Sequence, residues 1–209
     1  MKTIKKLLWQ MMGHVSIDQA ALHAKGPTVL HISDTPRSFY PELKRLLDIL
    51  KPNVIIHTGD LADDLKLENR PSLLDSYEKA VIKLMRIVNQ SAAETVVFTL
   101  GNHDNFKVVS KHAGRAEVYQ DAVIKSFHGN EILCAHYHDA AFDAAASKMP
   151  DFALYGHDLS LKSLQSYKAK NLNGIEAMHL IDLSTGAVFV IKYPIGTDNE
   201  RLNRKRLRL

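Results

Sequence analysis

TVVFTLGNHD, residues Thr95 to Asp104, decides how this chain folds. Its first six residues are β-branched or apolar without alternation, the composition of a strand buried on both faces inside a layered α/β domain. The run stops at Gly101 and then delivers an amide, an imidazole and a carboxylate in successive positions, Asn102, His103 and Asp104. In an open sheet the strand ends converge on one rim, and that rim is where ligands bind.

The same punctuation recurs on both sides of this stretch. An apolar run over residues 28–33 ends at Asp34, and another over 54–57 leads into Gly59-Asp60-Leu61-Ala62-Asp63. Residues 131–135 lead into His136-Tyr137-His138, and residues 152–155 into Gly156-His157-Asp158-Leu159. Between them lie helical patterns. Residues 41–51 carry Leu43, Leu46, Leu47 and Leu50 at helical spacing, and residues 72–90 carry Leu73, Tyr77, Val81, Leu84 and Val88 on one stripe. A shorter helix is expected near 140–147, and further strands at 122–127, 174–183 and 187–193. Strand–helix–strand first and strand-rich later implies an α/β layer architecture with mixed sheets.

Composition bounds the possibilities. A chain of 209 residues fits one domain with a sizeable core. The formal charge is +4, and much of the basic excess lies between Arg201 and Arg208, which leaves the body near neutral. The boundaries expected are an N-terminal appendage over 1–26, a domain over 27–195 and a basic tail over 196–209. Ser16-x-x-Gln19 has the form of a capping box opening a short helix in the appendage. The tail has the charge to contact nucleic acid, but a solvated terminus accounts for it more simply. One cysteine, Cys134, inside an apolar run, excludes an internal disulfide and reads as an inert thiol in a reducing compartment. No apolar stretch approaches the roughly 20 residues of a spanning helix. Residues 2–12 lack a continuous apolar run and a clean cleavage site, so a cytoplasmic protein is expected.

The strand-end residues form a mixed carboxylate, amide-oxygen and imidazole set. Such donors suit Mn²⁺, Fe²⁺, Zn²⁺ or Co²⁺ better than copper or an all-oxygen calcium site. Each glycine before a donor is expected to supply a positive φ for the sharp turn off its strand.

In this order the motifs resemble the calcineurin-like metallophosphoesterase family, whose pattern runs DxH, GDxxD, GNH[D/E], H and GHxH. The resemblance covers about residues 29–161. It implies a four-layer α/β/β/α sandwich of two mixed sheets flanked by helices. It also implies two metal ions roughly 3.5–4 Å apart that activate a water and clamp a phosphate oxygen. By that likeness Asp60 bridges both ions, and Asn102, His136 and His157 complete one of them. Asp34 matches a ligand of the other, but Pro36 and Leu159 stand where the family has its two remaining histidines. One ion site is therefore expected to be furnished and its neighbour impaired, with a second ion weak or absent. The likeness also pairs Asp63 with His103 as the catalytic couple, the carboxylate raising the imidazole pKa so that it acts as a general acid. Asn102 and His103 are further expected to contact substrate. Arg37, next to Pro36, is the candidate to supply positive charge where an ion was lost.

Two functions fit these residues. One is metal-dependent hydrolysis of a phosphate monoester or diester by a metal-activated water. The other is a catalytically weak or inactive scaffold for protein assembly, as the small retromer subunit is within the same fold. The substrate is expected to be set by the loops over 65–72, 106–116 and 139–150, whose shapes, like the oligomeric state, the sequence leaves open.

Overall fold

A computed structural model describes residues 9–10, 12–145, 149–165 and 170–202. A six-stranded sheet has the order β11-β10-β1-β2-β3-β4, and a five-stranded sheet the order β5-β6-β7-β9-β8. In the first sheet β1 (Thr28–Ile32), β2 (Val54–His57), β3 (Thr95–Thr99) and β4 (Glu117–Tyr119) run parallel. Strands β10 (Met178–Asp182) and β11 (Val188–Ile191) close its other edge antiparallel. In the second sheet β6 (Asn130–Cys134), β7 (Phe152–Tyr155) and β9 (Lys170–Asn173) are parallel, with β5 (Val123–Phe127) and β8 (Leu164–Gln165) as antiparallel edges.

Alternation along the strands builds four layers, because successive side chains point to opposite faces. Val29, Val54, Ile56 and Val97 pack against Ile132, Cys134, Phe152 and Leu154 of the other sheet. Their neighbours Leu30, Ile32, Ile55, Val96 and Phe98 face the opposite way, onto helices α2 (Tyr40–Leu50) and α3 (Leu74–Asn89). Leu133, Ala135 and Ala153 meet Ala141 of α5 (His138–Ala145) on the far side. The result is the α/β/β/α sandwich of two mixed sheets flanked by helices. Fully burying side chains such as Leu43, Leu46, Leu84 or Val88 contributes about 1.5–3 kcal/mol each. Proline at the first turn and a left-handed Lys51 at the end delimit α2, and the Asn105 side chain caps α4 (Phe106–His112) by accepting from Val108 N–H.

Three expectations need correction. The strand expected over 174–183 begins only at Met178, because residues 174–176 form a turn between β9 and β10. Gly174 sits against the His31 imidazole, where an added Cβ would lie 2.7 Å from Nε2, and the Asn173 side chain donates to the carbonyls of Asp158 and Leu161. The short helix α1 (Gln19–Leu22) is capped by Asp18, which accepts from Ala20 N–H, and Ser16 plays no part in the cap. Arg201, assigned to the solvated tail, is 0% exposed at the end of α6 (Thr197–Arg201). Residues 203–209, with the rest of the basic run, lie outside the described residues.

Arg201 tolerates burial because four of its five guanidinium N–H groups find acceptors. Nε donates to Asp34 O, Nη2 to Ser33 O, and Nη1 to Ile175 O and Asp198 Oδ1, while the group stacks 3.9 Å above the Tyr193 ring. Removing it leaves three carbonyls without their charged donor. Arg201→Ala is expected to lower unfolding stability by about 3 kcal/mol or more, read as a reduced denaturant midpoint at unchanged m-value.

Candidate metal centre

Five strand ends supply the site, and the backbone turns there in an uncommon way. Among the described residues six non-glycine positions have positive φ, and Asp34 (50°), Asp60 (57°), Lys66 (49°) and His157 (69°) are four of them. All four line one cleft of about 230 Å³. The left-handed region costs an L-residue energy, and such residues cluster where a side chain must be aimed. The glycines were expected to carry these turns, but only Gly59 has positive φ among the three that precede donors. Gly101 and Gly156 are required for close approach instead. A Cβ at Gly101 would lie 2.2 Å from Asp60 Oδ1 and 2.6 Å from the His136 ring, and one at Gly156 would lie 2.4 Å from Asp34 Oδ2.

Asp60, His136 and His157 form one donor group, with ligand atoms within 4.8 Å of one another. His136 Nε2 lies 3.7 Å from Asp60 Oδ2 and 3.2 Å from His157 Nδ1. Donors each about 2.1 Å from a shared ion stand about 3–3.5 Å apart, so little adjustment is needed. His136 Nδ1 is 2.7 Å from Thr58 O, and donating there leaves Nε2 as the free lone pair facing Asp60 and His157. Asp60 Oδ1 accepts from His103 N–H at 3.0 Å. Asn102 donates from Nδ2 to Glu68, and its Oδ1 is buried without a hydrogen-bond partner. A buried amide oxygen left free is costly in a finished fold and suits a cation. Burial, with Asp34 and Asp104 adding repulsion, pushes the Asp60 carboxyl well above the usual range, as expected of a carboxylate lacking a neutralising charge.

The remaining assigned residues are arranged differently from expectation. Asp34 joins neither donor group; its Oδ2 accepts from Ser33 Oγ and from His157 N–H. Asp63 and His103 belong with Asp60 to a second donor group, yet no hydrogen bond joins Asp63 to His103. Asp63 Oδ1 accepts from the Lys66 ammonium and Oδ2 is buried without a partner. His103 instead has Glu68 at 3.7 Å and Asn102 Nδ2 at 3.3 Å. Burial and then the Lys66 charge push its pKa down to about 4, so the imidazole is neutral at pH 7, opposite to the cation expected of a His–Asp couple. Burial, reinforced by Asp34, pushes Asp63 up to about 6 despite Lys66.

Leu159 lines the cleft beside Asp34, Asp63 and Arg201, and Pro36 is buried two residues past Asp34. Arg37 does not turn inward. Its Nε donates to Asp64 Oδ2 at 2.8 Å from a side chain 46% exposed. Among the described residues, the cations lining the cleft are Lys66 and Arg201.

Sequence reasoning also left out three residues. Asp104 accepts from the backbone N–H groups of Asp60, Leu61 and Gly101 and from Tyr77 Oη, tying the turns after β2 and β3 together. Its signal was its place as the fourth letter of GNHD. Glu68, which holds the Asn102 amide, and Lys66 sit in consecutive 3₁₀ turns that carry no periodic signal.

A family model for calcineurin-like phosphoesterases matches residues 27–183. The fold is similar to that of an archaeal phosphodiesterase at 15% identity and TM-score 0.52, covering 78% of this chain and 98% of that one. It is also similar to a phosphoesterase from E. coli at 13% identity and TM-score 0.51, covering 80% and 99%. A further solved structure has a TM-score of 0.61 at 11% identity, covering 79% and 98%. No curated protein sequence matches. At these identities the likeness speaks to the fold, and the described residues contain no helix long and apolar enough to cross a membrane.

Proposed function

Since the chain belongs to the calcineurin-like phosphoesterase family, we propose that it hydrolyses a phosphate ester with a single well-held divalent transition-metal ion at Asp60, Asn102, His136 and His157. The observation that carries this is the convergence of Asp60, His136 and His157 donors from three separate strand ends, with the Thr58 carbonyl setting the His136 tautomer. The unpartnered Asn102 Oδ1 supports a fourth ligand. The imidazole, amide and carboxylate set favours Mn²⁺, Fe²⁺, Zn²⁺ or Co²⁺.

When bound, such an ion polarises a phosphoryl oxygen and lowers the pKa of water enough to make a nucleophile near neutral pH. The chain's own residues do the rest. Asp104 holds the Asp60 and Gly101 turns in register through three backbone N–H groups. His103, a neutral imidazole at the cleft, offers a hydrogen bond to a phosphate oxygen or to the departing alcohol, and Asn102 Nδ2 is beside it. Leu159 in place of a further nitrogen donor leaves the second ion position without its family ligand, which is why slow turnover is expected. The lone thiol, Cys134, is fully buried and pushed up to about 12, an inert group that suits a reducing cytoplasm.

Metal analysis of untreated protein is expected to find about one equivalent of transition metal, with slow Mn²⁺-dependent cleavage of an aryl phosphate or an aryl phosphodiester. In Asn102→Ala both fall toward background. Protein without metal, and with hydrolysis equal to that of Asn102→Ala, would leave the assembly-scaffold function as the better account.

A further inference from the structure

We propose that the Lys66 ammonium takes the place of the second metal ion, serving as a built-in cation that neutralises the carboxylates of the cleft and binds the phosphoryl oxygens of the substrate. This rests on the one-ion phosphoesterase function above and deepens it. The charge arithmetic of the cleft motivates it. Asp34, Asp60 and Asp63 face one space with His103 and His157, and all three residues are at most 2% exposed. Three such carboxylates need positive charge nearby, since buried charges are paired or bind metals.

One cation at the cleft is spoken for. Four of the five N–H groups of Arg201 donate to backbone carbonyls or to Asp198 and the residue is 0% exposed, so it fastens the Asp34 turn. Lys66 is different. Its ammonium bonds Asp63 Oδ1 and retains donors, from a side chain 19% exposed that lines the cleft beside Leu159. The chain holds Lys66 at φ 49°, between two 3₁₀ turns, which directs the side chain back toward Asp63. Asp63 Oδ2, buried and unpartnered in the same cleft, is a further acceptor for positive charge there. An ammonium is a compact point charge able to hold a phosphate, though without the Lewis acidity of an ion. It accounts for both features of the sequence together: the family's two histidines are replaced by Pro36 and Leu159, and the acidic ligands Asp34 and Asp60 persist.

The test counts ions. Mn²⁺ is titrated into metal-free full-length protein, and inorganic phosphate is then titrated at saturating Mn²⁺. Lys66→Ala is expected to bind one Mn²⁺ equivalent more than wild type, because the carboxylates regain a charge to be neutralised, whereas Lys66→Arg keeps the wild-type count. Wild-type protein is expected to bind phosphate about tenfold more tightly than a Lys66→Ala sample limited to a single Mn²⁺ equivalent. Should Lys66→Ala fail to fold, Lys66→Gln supplies the same comparison. Asp63→Asn, which frees the ammonium without removing it, should leave the count unchanged. An unchanged count in Lys66→Ala, two equivalents in wild type, or a gain shared by Asp63→Asn would overturn the assignment. A wild-type count of zero would sink the metal site at Asp60 instead, while Lys66 would still be judged on the increment between variant and wild type.

Discussion

Asp60→Asn is expected to abolish stable divalent-ion binding and to lower hydrolysis by about a thousandfold, the loss of roughly 4 kcal/mol of transition-state stabilisation that a Lewis acid supplies. Asp60 belongs to both donor groups at the cleft, so one substitution disables the whole constellation. The fold should survive it. Asparagine retains the oxygen that accepts His103 N–H, and the turn is held independently by Asp104 on the backbone. Stability should even rise in metal-free buffer, because burial and the neighbouring Asp34 and Asp104 disfavour the Asp60 carboxylate that the substitution removes. Loss of metal with a raised melting temperature marks a ligand site. A variant that melts earlier and keeps its ion would contradict the assignment of Asp60.

The second large effect is loss of stability in mild acid, and it comes from histidines that belong to neither donor group. His31, His57 and His179 are buried with at most 1% exposure. His31 Nε2 lies 3.0 Å from Thr58 Oγ1, its other ring nitrogen lies 3.3 Å from His179 Nδ1, and His57 Nε2 lies 3.0 Å from Thr35 Oγ1. Burial pushes His57 down to about 3 and His179 down to about 4, and His31 well below the ordinary value with His179 adding repulsion. In the unfolded chain the same groups take up protons below about pH 6.5, so the unfolded state binds more protons and stability falls as pH falls through that value. Between pH 7 and pH 5 the cost is about 2 kcal/mol each for His57 and His179.

Carboxylates raised by burial oppose this in metal-free protein. Asp63, at about 6 in the fold, takes up its proton over the same interval and returns about 1 kcal/mol, and Asp60 and Asp104 act in the same direction. Saturating Mn²⁺ removes much of that offset by favouring the ionised Asp60, and acid then also weakens the ion's hold. The Mn²⁺-loaded protein should therefore lose at least about 4 kcal/mol between pH 7 and pH 5, with the metal-free protein losing less. Denaturant midpoints measured at both pH values, with and without Mn²⁺, check this. A loaded protein as stable at pH 5 as at pH 7 would mean that these imidazoles are not held neutral in the fold.

Most of the framework was legible from residues 28 to 183. Runs such as 54–57, 95–99 and 152–155 are apolar on both faces, and only a central strand between two covered layers buries both, so an α/β layer architecture follows from local composition, while the two-sheet sandwich was implied by the family likeness of the motifs. The donors after each run were legible for the same reason: a polar side chain directly behind a buried strand has few places to go except the rim. The helices α2 and α3 announced themselves by leucine spacing.

What local pattern could not reveal was the charge balance of the rim. Substitution of Pro36 and Leu159 showed where the family's ligands are absent, and nearness along the chain pointed to Arg37, which turns out to Asp64. The cations at the cleft come from a 3₁₀ turn with no periodicity and from a helix 167 residues beyond Asp34. The pairing of Asp63 with Lys66 rather than His103 was equally hidden. Sequence by itself determined which elements are buried and which donors stand at their ends, because burial periodicity and residue chemistry are local properties. Only the tertiary structure decided which charges face one another, because Coulomb energy depends on separation in space and a buried arginine needs carbonyls from distant segments to receive it.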